Sequence, residues 1–371
     1  MVNKKIVFAA NSDLGYDQRM QRICRSLHQA GFGVFILGRL FDNSKSFTPE
    51  GYGADRLKLR FPKGKLAYIE LNIRIFLYFL NKEFDAICSI DLDTLPACWL
   101  LSVLKGKKLA HDAHEYMEEV PEVFGRPFTK WMWNRVAHAF LPSVGLAYTV
   151  SRGLQEEFFA RYGKSFHLVR NMAEAQRSLS APDTGHEESG FWVYLGAVNT
   201  GRGLEEFLEV LPATNRRLVV LGEGDKLLEI KNMVANQGID HLVEFRGRVN
   251  PEAAHAIIQR AWAGINLLRD EGLSYRHSLA NKFFDYVHAG IPQICISFPE
   301  YRAMMKEFEV GILTALKKES ILAATHWISM PENQEKYRTE AAKARQVWNW
   351  ESESVRLIDL WRRFLEIEGR G

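Results

Sequence analysis

Short apolar runs alternate with amphipathic stretches along most of the chain. KIVFAA (5–10), GVFILGR (33–39), FDAICSID (84–91), KKLAHDAH (107–114) and GLAYTVS (145–151) read as strands, and the spans between them carry apolar residues at helical spacing. That rhythm predicts a parallel sheet with helices on both faces. It breaks at AEAQRSLSAPDTGHEESG, residues 173–190, and resumes with FWVYLG, RRLVVLGEG, LVEFRGRV, AGINLLR and IPQICIS. The expected organisation is therefore α/β with two Rossmann-like, doubly wound domains facing a central cleft. An N-terminal domain spans 1–172, a linker 173–190, a C-terminal domain 191–350 and a terminal helix 351–371. In that last segment Val355, Ile358, Trp361 and Leu365 fall at helical spacing and predict a packing stripe.

The length of 371 residues suits two cores, and 47% hydrophobic with 25% charged residues excludes a disordered chain. A formal charge of +3 does not call for nucleic acid, and none is expected as a partner. The four cysteines, Cys24, Cys88, Cys98 and Cys295, form no CxxC pair, which points to reduced thiols, no structural metal and a cytoplasmic location. MVNKKIVFAANSD has too short an apolar run for a signal peptide, and LNIRIFLYFL and LPACWLLSVL are too short to cross a bilayer.

The stretch SLANKFFDYVHAGIP, residues 278–292, carries the most chemistry. At 100° per residue, Phe283, Phe284 and Val287 fall on one side of a helix, and Asn281, Lys282, Asp285 and Ala289 fall roughly opposite. Ser278 is expected to cap it, leaving the backbone N–H groups of Leu279 to Lys282 open to an anion. An ammonium and free amides suit a phosphate, and Asp285 one turn on suits two vicinal hydroxyls such as those of a ribose. The competing reading, a solvated face with an i, i+3 ion pair, fits less well, because Gly290-Ile291-Pro292 sends the helix directly into a buried strand. Two strand–loop–helix segments add similar parts: VYLGAVNTGRGLEEFL, with Arg202 between glycines, and LVVLGEGDKLLEI, with Glu223 at its turn. The first loop, NSDLGYD with Gly15, lacks GxGxxG, which disfavours a nicotinamide enzyme.

Taken in order, DQRMQRICRSLHQAGFGVFIL, DLDTLPACWLL, HDAHEYMEE, YTVSRGLQEEFFARYG, LVRN, YLGAVNTGRGLEEFL, LVVLGEGD, VEFRGRV and NKFFDYVHAGIP resemble the GT-B fold glycosyltransferases of family four. These are retaining, nucleotide-sugar-dependent enzymes, and the resemblance covers nearly the whole chain. It implies transfer of a sugar from a nucleotide diphosphate sugar to a glycan or lipid-linked acceptor, with no cofactor beyond the donor itself. It also implies that Arg202 and Lys282 contact the diphosphate, with Gly15, Gly196, Gly203, Glu223, Arg248, Leu279, Ala280, Asn281 and Asp285 around the donor. Two positions depart from the family pattern. His277 stands where the first of two glutamates is usual, and Ala197 where an arginine is usual, so Arg19 or Lys282 would have to supply the missing cation.

On the acceptor side, KKLAHDAHEYMEE ends a strand with Asp112, His114 and Glu115. By position and by resemblance, His114 is the polar group expected near the anomeric centre, and HxxHE matches neither zinc-protease spacing. Asp91 and Asp93 are expected to cap the next helix rather than bind a metal. DRLKLRFPKGKLAYIELNIRIFLYFL mixes Arg56, Lys58, Arg60, Lys63 and Lys65 with Phe61, Tyr68 and Phe76, a pattern compatible with peripheral contact to an anionic membrane. The plainer reading, a loop followed by a core helix, is preferred. The alternative functions are a nucleotide-sugar epimerase of the same fold and a catalytically silent nucleotide-sugar binder.

Overall fold

The computed structural model describes residues 4–119, 123, 126–175 and 190–366. Of the expected linker, residues 176–189 lie outside the described residues, as do the last five of the terminal segment. The chain divides into two compact units, Met1–Asn171 with Glu353–Gly371, and Met172–Ser352.

The first unit is built on β1 (Lys5–Ala9), β2 (Gly33–Leu40), β3 (Gly53–Lys58), β4 (Ala86–Ile90), β5 (Lys108–Ala113), β6 (Leu146–Thr149) and β7 (His167–Leu168). All pairings are parallel, in the order β3-β2-β1-β4-β5-β6-β7. Helices α1 (Gln18–Gln29), α2 (Lys65–Leu80), α3 (Leu95–Lys105), α4 (Pro127–Phe140) and α5 (Arg152–Tyr162) run between the strands. Every residue of β4 is buried, as a central strand covered on both faces must be. Asp17 starts α1 by accepting from the Met20 amide at 3.0 Å, and Ser151 starts α5 in the same way through Leu154.

The second unit repeats the plan with β8 (Trp192–Leu195), β9 (Leu218–Leu221), β10 (Val243–Gly247), β11 (Ala263–Asn266), β12 (Gln293–Ile296) and β13 (Gly311–Thr314). Its order is β10-β9-β8-β11-β12-β13, again parallel throughout. Its helices are α6 (Leu204–Leu208), α7 (Leu227–Asn236), α8 (Pro251–Gln259), α9 (Leu273–Arg276), α10 (Asn281–Ala289), α11 (Pro299–Glu307), α12 (Lys318–Ile328) and α13 (Pro331–Val347). In each sheet the winding reverses once, between β1 and β4 and between β8 and β11. Loops leaving the carboxyl ends of those strands splay apart there and leave a crevice for a ligand.

Three strands fall outside the apolar runs that mark the others: β3, β7 and β13, all at sheet edges. An edge strand needs only one covered flank, so GADRLK carries no apolar run and is held in register by β2 alone. The last helix, α14 (Trp350–Glu366), returns to the first unit. Its buried stripe is Glu353, Leu357, Trp361 and Leu365, whereas Val355, expected within the stripe, is exposed. Trp361 is fully buried with its ring 5.8 Å from that of Phe8 in β1, and Lys108 in β5 donates to the Phe364 carbonyl at 2.5 Å.

Two further expectations are corrected. Asp93 does not cap α3; Thr94 occupies that place, and its hydroxyl donates to the Ala9 and Ile90 carbonyls. Helix α2 is a core helix on one face only. Ala67, Leu71, Ile75 and Phe79 point inward, and Tyr68 meets Trp133 edge-on at 5.2 Å, while a second apolar stripe faces out.

Candidate functional site

In the second unit, the crevice between β8 and β11 collects Gly196, Arg202 and Gly203 from the loop after β8, and Lys282 from the start of α10. The loop is braced from several sides. The Tyr194 hydroxyl donates to the Ala197 carbonyl at 2.7 Å, the Tyr275 hydroxyl to that of Thr200 at 3.2 Å, and the Arg269 amide to that of Gly201 at 2.8 Å. Glycine is required at two points. Gly203 has φ +70°, and a Cβ there would fall 2.4 Å from the Leu267 Cβ; a Cβ on Gly222, after β9, would fall 1.9 Å from the Gly196 carbonyl oxygen.

Lys282 does not lie on a solvated face of α10. Its side chain is buried, with Nζ 4.1 Å from the Tyr194 ring centroid and no hydrogen-bond partner among the described residues. Burial, reinforced by the neighbouring Arg202 charge, lowers its pKa to about 7. The Arg202 guanidinium lies 5.0 Å from the Tyr275 ring centroid. Two cations thus share one crevice, each against an aromatic face, an arrangement that gains when an anion enters between them.

The entry to α10 also differs from expectation. Ala280, not Ser278, is the N-cap residue, and no side chain among the described residues caps the helix. The Ala280 amide donates to the Tyr301 hydroxyl at 3.1 Å, so it is already engaged. Leu279 is buried, Asn281 is exposed and Asp285 is half-buried one turn beyond Lys282. The expected stop at Gly290 is present, in the left-handed conformation with its N–H on the Tyr286 and Val287 carbonyls. Glu223 is exposed at the end of β9 and approaches Gly247 at the end of β10, beyond which Arg248 is also exposed.

The first unit assembles a second polar cluster, again at strand ends. Both oxygens of the fully buried Asp112 in β5 accept from Arg19, at 2.8 and 3.2 Å, and Arg19 also donates to the Val169 carbonyl. Arg19 is thereby committed inside the unit and offers no spare cation for a donor. Asp112 also lies 3.0 Å from the His114 Nε2. Burial opposes the charge on His114, but Asp112 and Asp91 outweigh it and raise its pKa to about 9, making it an imidazolium at neutral pH. Asp112 itself is held down to about 2, with burial overcome by Arg19 and His114.

Asp91 adopts a left-handed backbone, φ +56°, and its carboxylate accepts the His114 amide at 2.8 Å. Such strain in a non-glycine residue is usual at functional turns. Asp93 accepts from Asn11 at 2.8 Å and keeps its Oδ1 buried without a partner among the described residues. Burial, together with Asp91, raises its pKa to about 7. Glu115 is exposed, and the Gly15 amide is taken by Asp13 at 3.1 Å. Among the described residues no group of three His, Cys, Asp or Glu side chains is placed to hold a metal ion.

Sequence reasoning missed Tyr194, Tyr275, Tyr301 and Asn11. A tyrosine in an apolar run, as Tyr194 is, reads as core, and nothing in the spacing around Tyr275 or Tyr301 reveals that their hydroxyls hold the loop after β8 and the entry to α10.

Residues 177–346, within the second unit, match the family model described as glycosyl transferases group 1. No curated protein sequence matches the chain. Among solved structures, the chain is similar to sucrose-phosphate synthase from Thermosynechococcus elongatus, with TM-score 0.82 and 15% identity over 98% of this chain and 100% of that one. The HepE protein of Anabaena in complex with UDP-glucose gives 0.75 and 13% over 97% and 99%. WaaG, a glycosyltransferase involved in lipopolysaccharide biosynthesis, gives 0.76 and 13% over 96% and 99%. The chain shares with these proteins the GT-B fold, two α/β units each built on a parallel sheet.

Proposed function

We propose that the protein is a retaining glycosyltransferase of the family-four kind, moving a hexosyl group from a nucleotide diphosphate sugar to a glycan or lipid-linked acceptor. The observation that carries this reading is the buried Lys282 amine beside Arg202 in the β8–β11 crevice, without a hydrogen-bond partner among the described residues. A diphosphate supplies what that pair lacks, and Asp285 one turn along α10 is assigned to the ribose hydroxyls. The group 1 domain and the UDP-glucose complex of a fold neighbour make UDP-glucose the first donor to test.

In the proposed reaction the bond between the anomeric carbon and the diphosphate oxygen breaks, and its electron pair stays on the diphosphate. Arg202 and Lys282 stabilise that growing negative charge in a site arranged beforehand, the kind of effect that usually dominates rate enhancement. The acceptor oxygen attacks from the same face, and its proton passes to the leaving phosphate oxygen, so configuration is retained. His114, charged and held by Asp112, is assigned as a hydrogen-bond donor toward the transferred sugar, with no metal in the scheme. A silent nucleotide-sugar binder is the second reading, favoured by Ala197, whose carbonyl is tied to Tyr194 where the family usually has an arginine.

A thermal-shift panel of UDP-, GDP-, ADP- and TDP-sugars separates these readings, since a ligand of the native state raises its melting point. One nucleotide is expected to stabilise the protein, and Lys282→Ala to remove both that shift and the release of nucleotide from its sugar while leaving the unliganded melting point within a few degrees. Turnover unchanged by Lys282→Ala would overturn the assignment. A shift without turnover would favour the silent binder.

A further inference from the structure

A helix of a soluble protein ordinarily carries one apolar stripe and buries it, but α2 carries two and buries one. Its inner residues, Leu71, Ile75 and Phe79, pack in the core, while Leu66, Ile69, Ile73 and Leu77 on the opposite side are 53–60% exposed. This outer stripe alone shows on the order of 400 Å² of apolar surface, already in the range of the largest patch on a typical monomer. The neighbouring helices also expose apolar side chains: Leu104 of α3 is 61% exposed and Trp131 of α4 is 54% exposed. Lys65 at the start of α2 lies 4.1 Å from the ring centroid of Phe128 in α4, joining the two helices at one end of the patch.

Charge identifies what fits this face. Residues 60–83, 95–107 and 126–140, which hold the three helices, contain ten Lys or Arg and two Asp or Glu, a surplus of eight positive charges in a chain whose total is +3. The rest of the protein is therefore net acidic, and the segments that hold the apolar stripe carry the basic surplus. A second copy of the same face would be repelled, and a nucleic acid would leave the leucines and isoleucines without a partner. Acyl chains beneath anionic headgroups satisfy both features. Helix α2 has 16 residues, and no described helix is long and apolar enough to cross a membrane, so the contact is one of lying in the interface.

We propose that the α2–α3–α4 face docks on an anionic lipid bilayer, with the Leu66-to-Leu77 stripe at the acyl boundary and Lys63, Lys65 and Arg135 among the headgroup phosphates. This inference is independent of the donor chemistry, because none of these residues belongs to either polar cluster.

Flotation of the 371-residue protein with phosphatidylcholine vesicles, and with vesicles containing phosphatidylglycerol, tests it. The protein should float with the anionic vesicles only. Ile69→Ser with Ile73→Ser, and separately Lys63→Glu with Lys65→Glu, should each lower the partition coefficient by at least about tenfold, with melting point and nucleotide-induced shift unchanged. Wild-type protein that stays in solution with both vesicle types, or variants that float as wild type does, would overturn the proposal. So would light scattering that shows a vesicle-free oligomer converted to monomer by the serine pair, since the face would then be a contact between copies. Binding to neutral and anionic vesicles alike would remove the electrostatic half of the argument and overturn it as stated.

Discussion

An ammonium buried over an aromatic ring, with another cation nearby and no carboxylate partner among the described residues, holds its proton weakly. With its pKa lowered from 10.5 to about 7, Lys282 is largely neutral at pH 8 in the empty protein. Phosphate charge beside it would raise that value, so nucleotide binding should take up close to one proton at pH 8, and affinity should weaken as pH rises above about 7, by up to about tenfold per unit. Calorimetry of nucleotide binding in buffers of different ionisation enthalpy reads that proton directly. No uptake at pH 8, or undiminished uptake in Lys282→Arg, would count against Lys282 as the phosphate ligand. Stability of the empty protein is a poorer reporter, because two groups oppose each other. Lowered Lys282 favours unfolding until pH passes 10.5, so its contribution improves from about pH 7 upward; raised His114 contributes fully below 6.5 and loses that contribution as pH climbs through about 9. The residue types at this site can be read from the sequence because helical spacing places Lys282 and Asp285 one turn apart. The burial of Lys282 cannot, since it depends on Tyr194 in a strand 88 positions earlier in the chain. Nor can the left-handed turn at Asp91, which arises from contacts made by β5.

At the level of elements, the glycines with positive φ separate into those needed for conformation and those needed for space. Gly290, which ends α10 at φ +74°, has no described heavy atom within 4 Å of the point where an alanine methyl would sit, so Gly290→Ala should cost only the left-handed backbone, about 1 kcal/mol. Gly203→Ala meets the Leu267 side chain and backbone as well and should cost at least about 2–3 kcal/mol more. Urea denaturation of both variants checks the order, and equal costs would show that the loop after β8 yields readily. Strand identity is legible wherever both faces are covered, as in β4, β9 and β12, because continuous apolar runs then have one reading. It fails at β3, β7 and β13, where a neighbouring strand supplies the order that the local sequence does not. Helix α2 misleads differently: its apolar residues suggest one core face, when they form two faces pointing in opposite directions.

For the whole molecule, the alternation of runs makes two doubly wound units legible, but nothing in the residue pattern assigns the last helix to the first of them. Trp361 fills the space against Phe8, and Gly145 lies so close to Phe364 that a Cβ there would fall 2.6 Å from that ring. Trp361→Ala should therefore destabilise the first unit by about 3–5 kcal/mol and leave the second unit's amides protected; hydrogen exchange that speeds up equally in both units would contradict this placement. The same arrangement sets an order on synthesis. Residues 172–352 are contiguous and can reach their final packing as soon as they leave the ribosome, whereas the unit begun first must wait, with the Phe8 side of its sheet uncovered, until Trp361 has been added. Of the two units, the one started earlier is therefore completed later, and a nascent chain stalled before Trp361 would present that sheet face to chaperones.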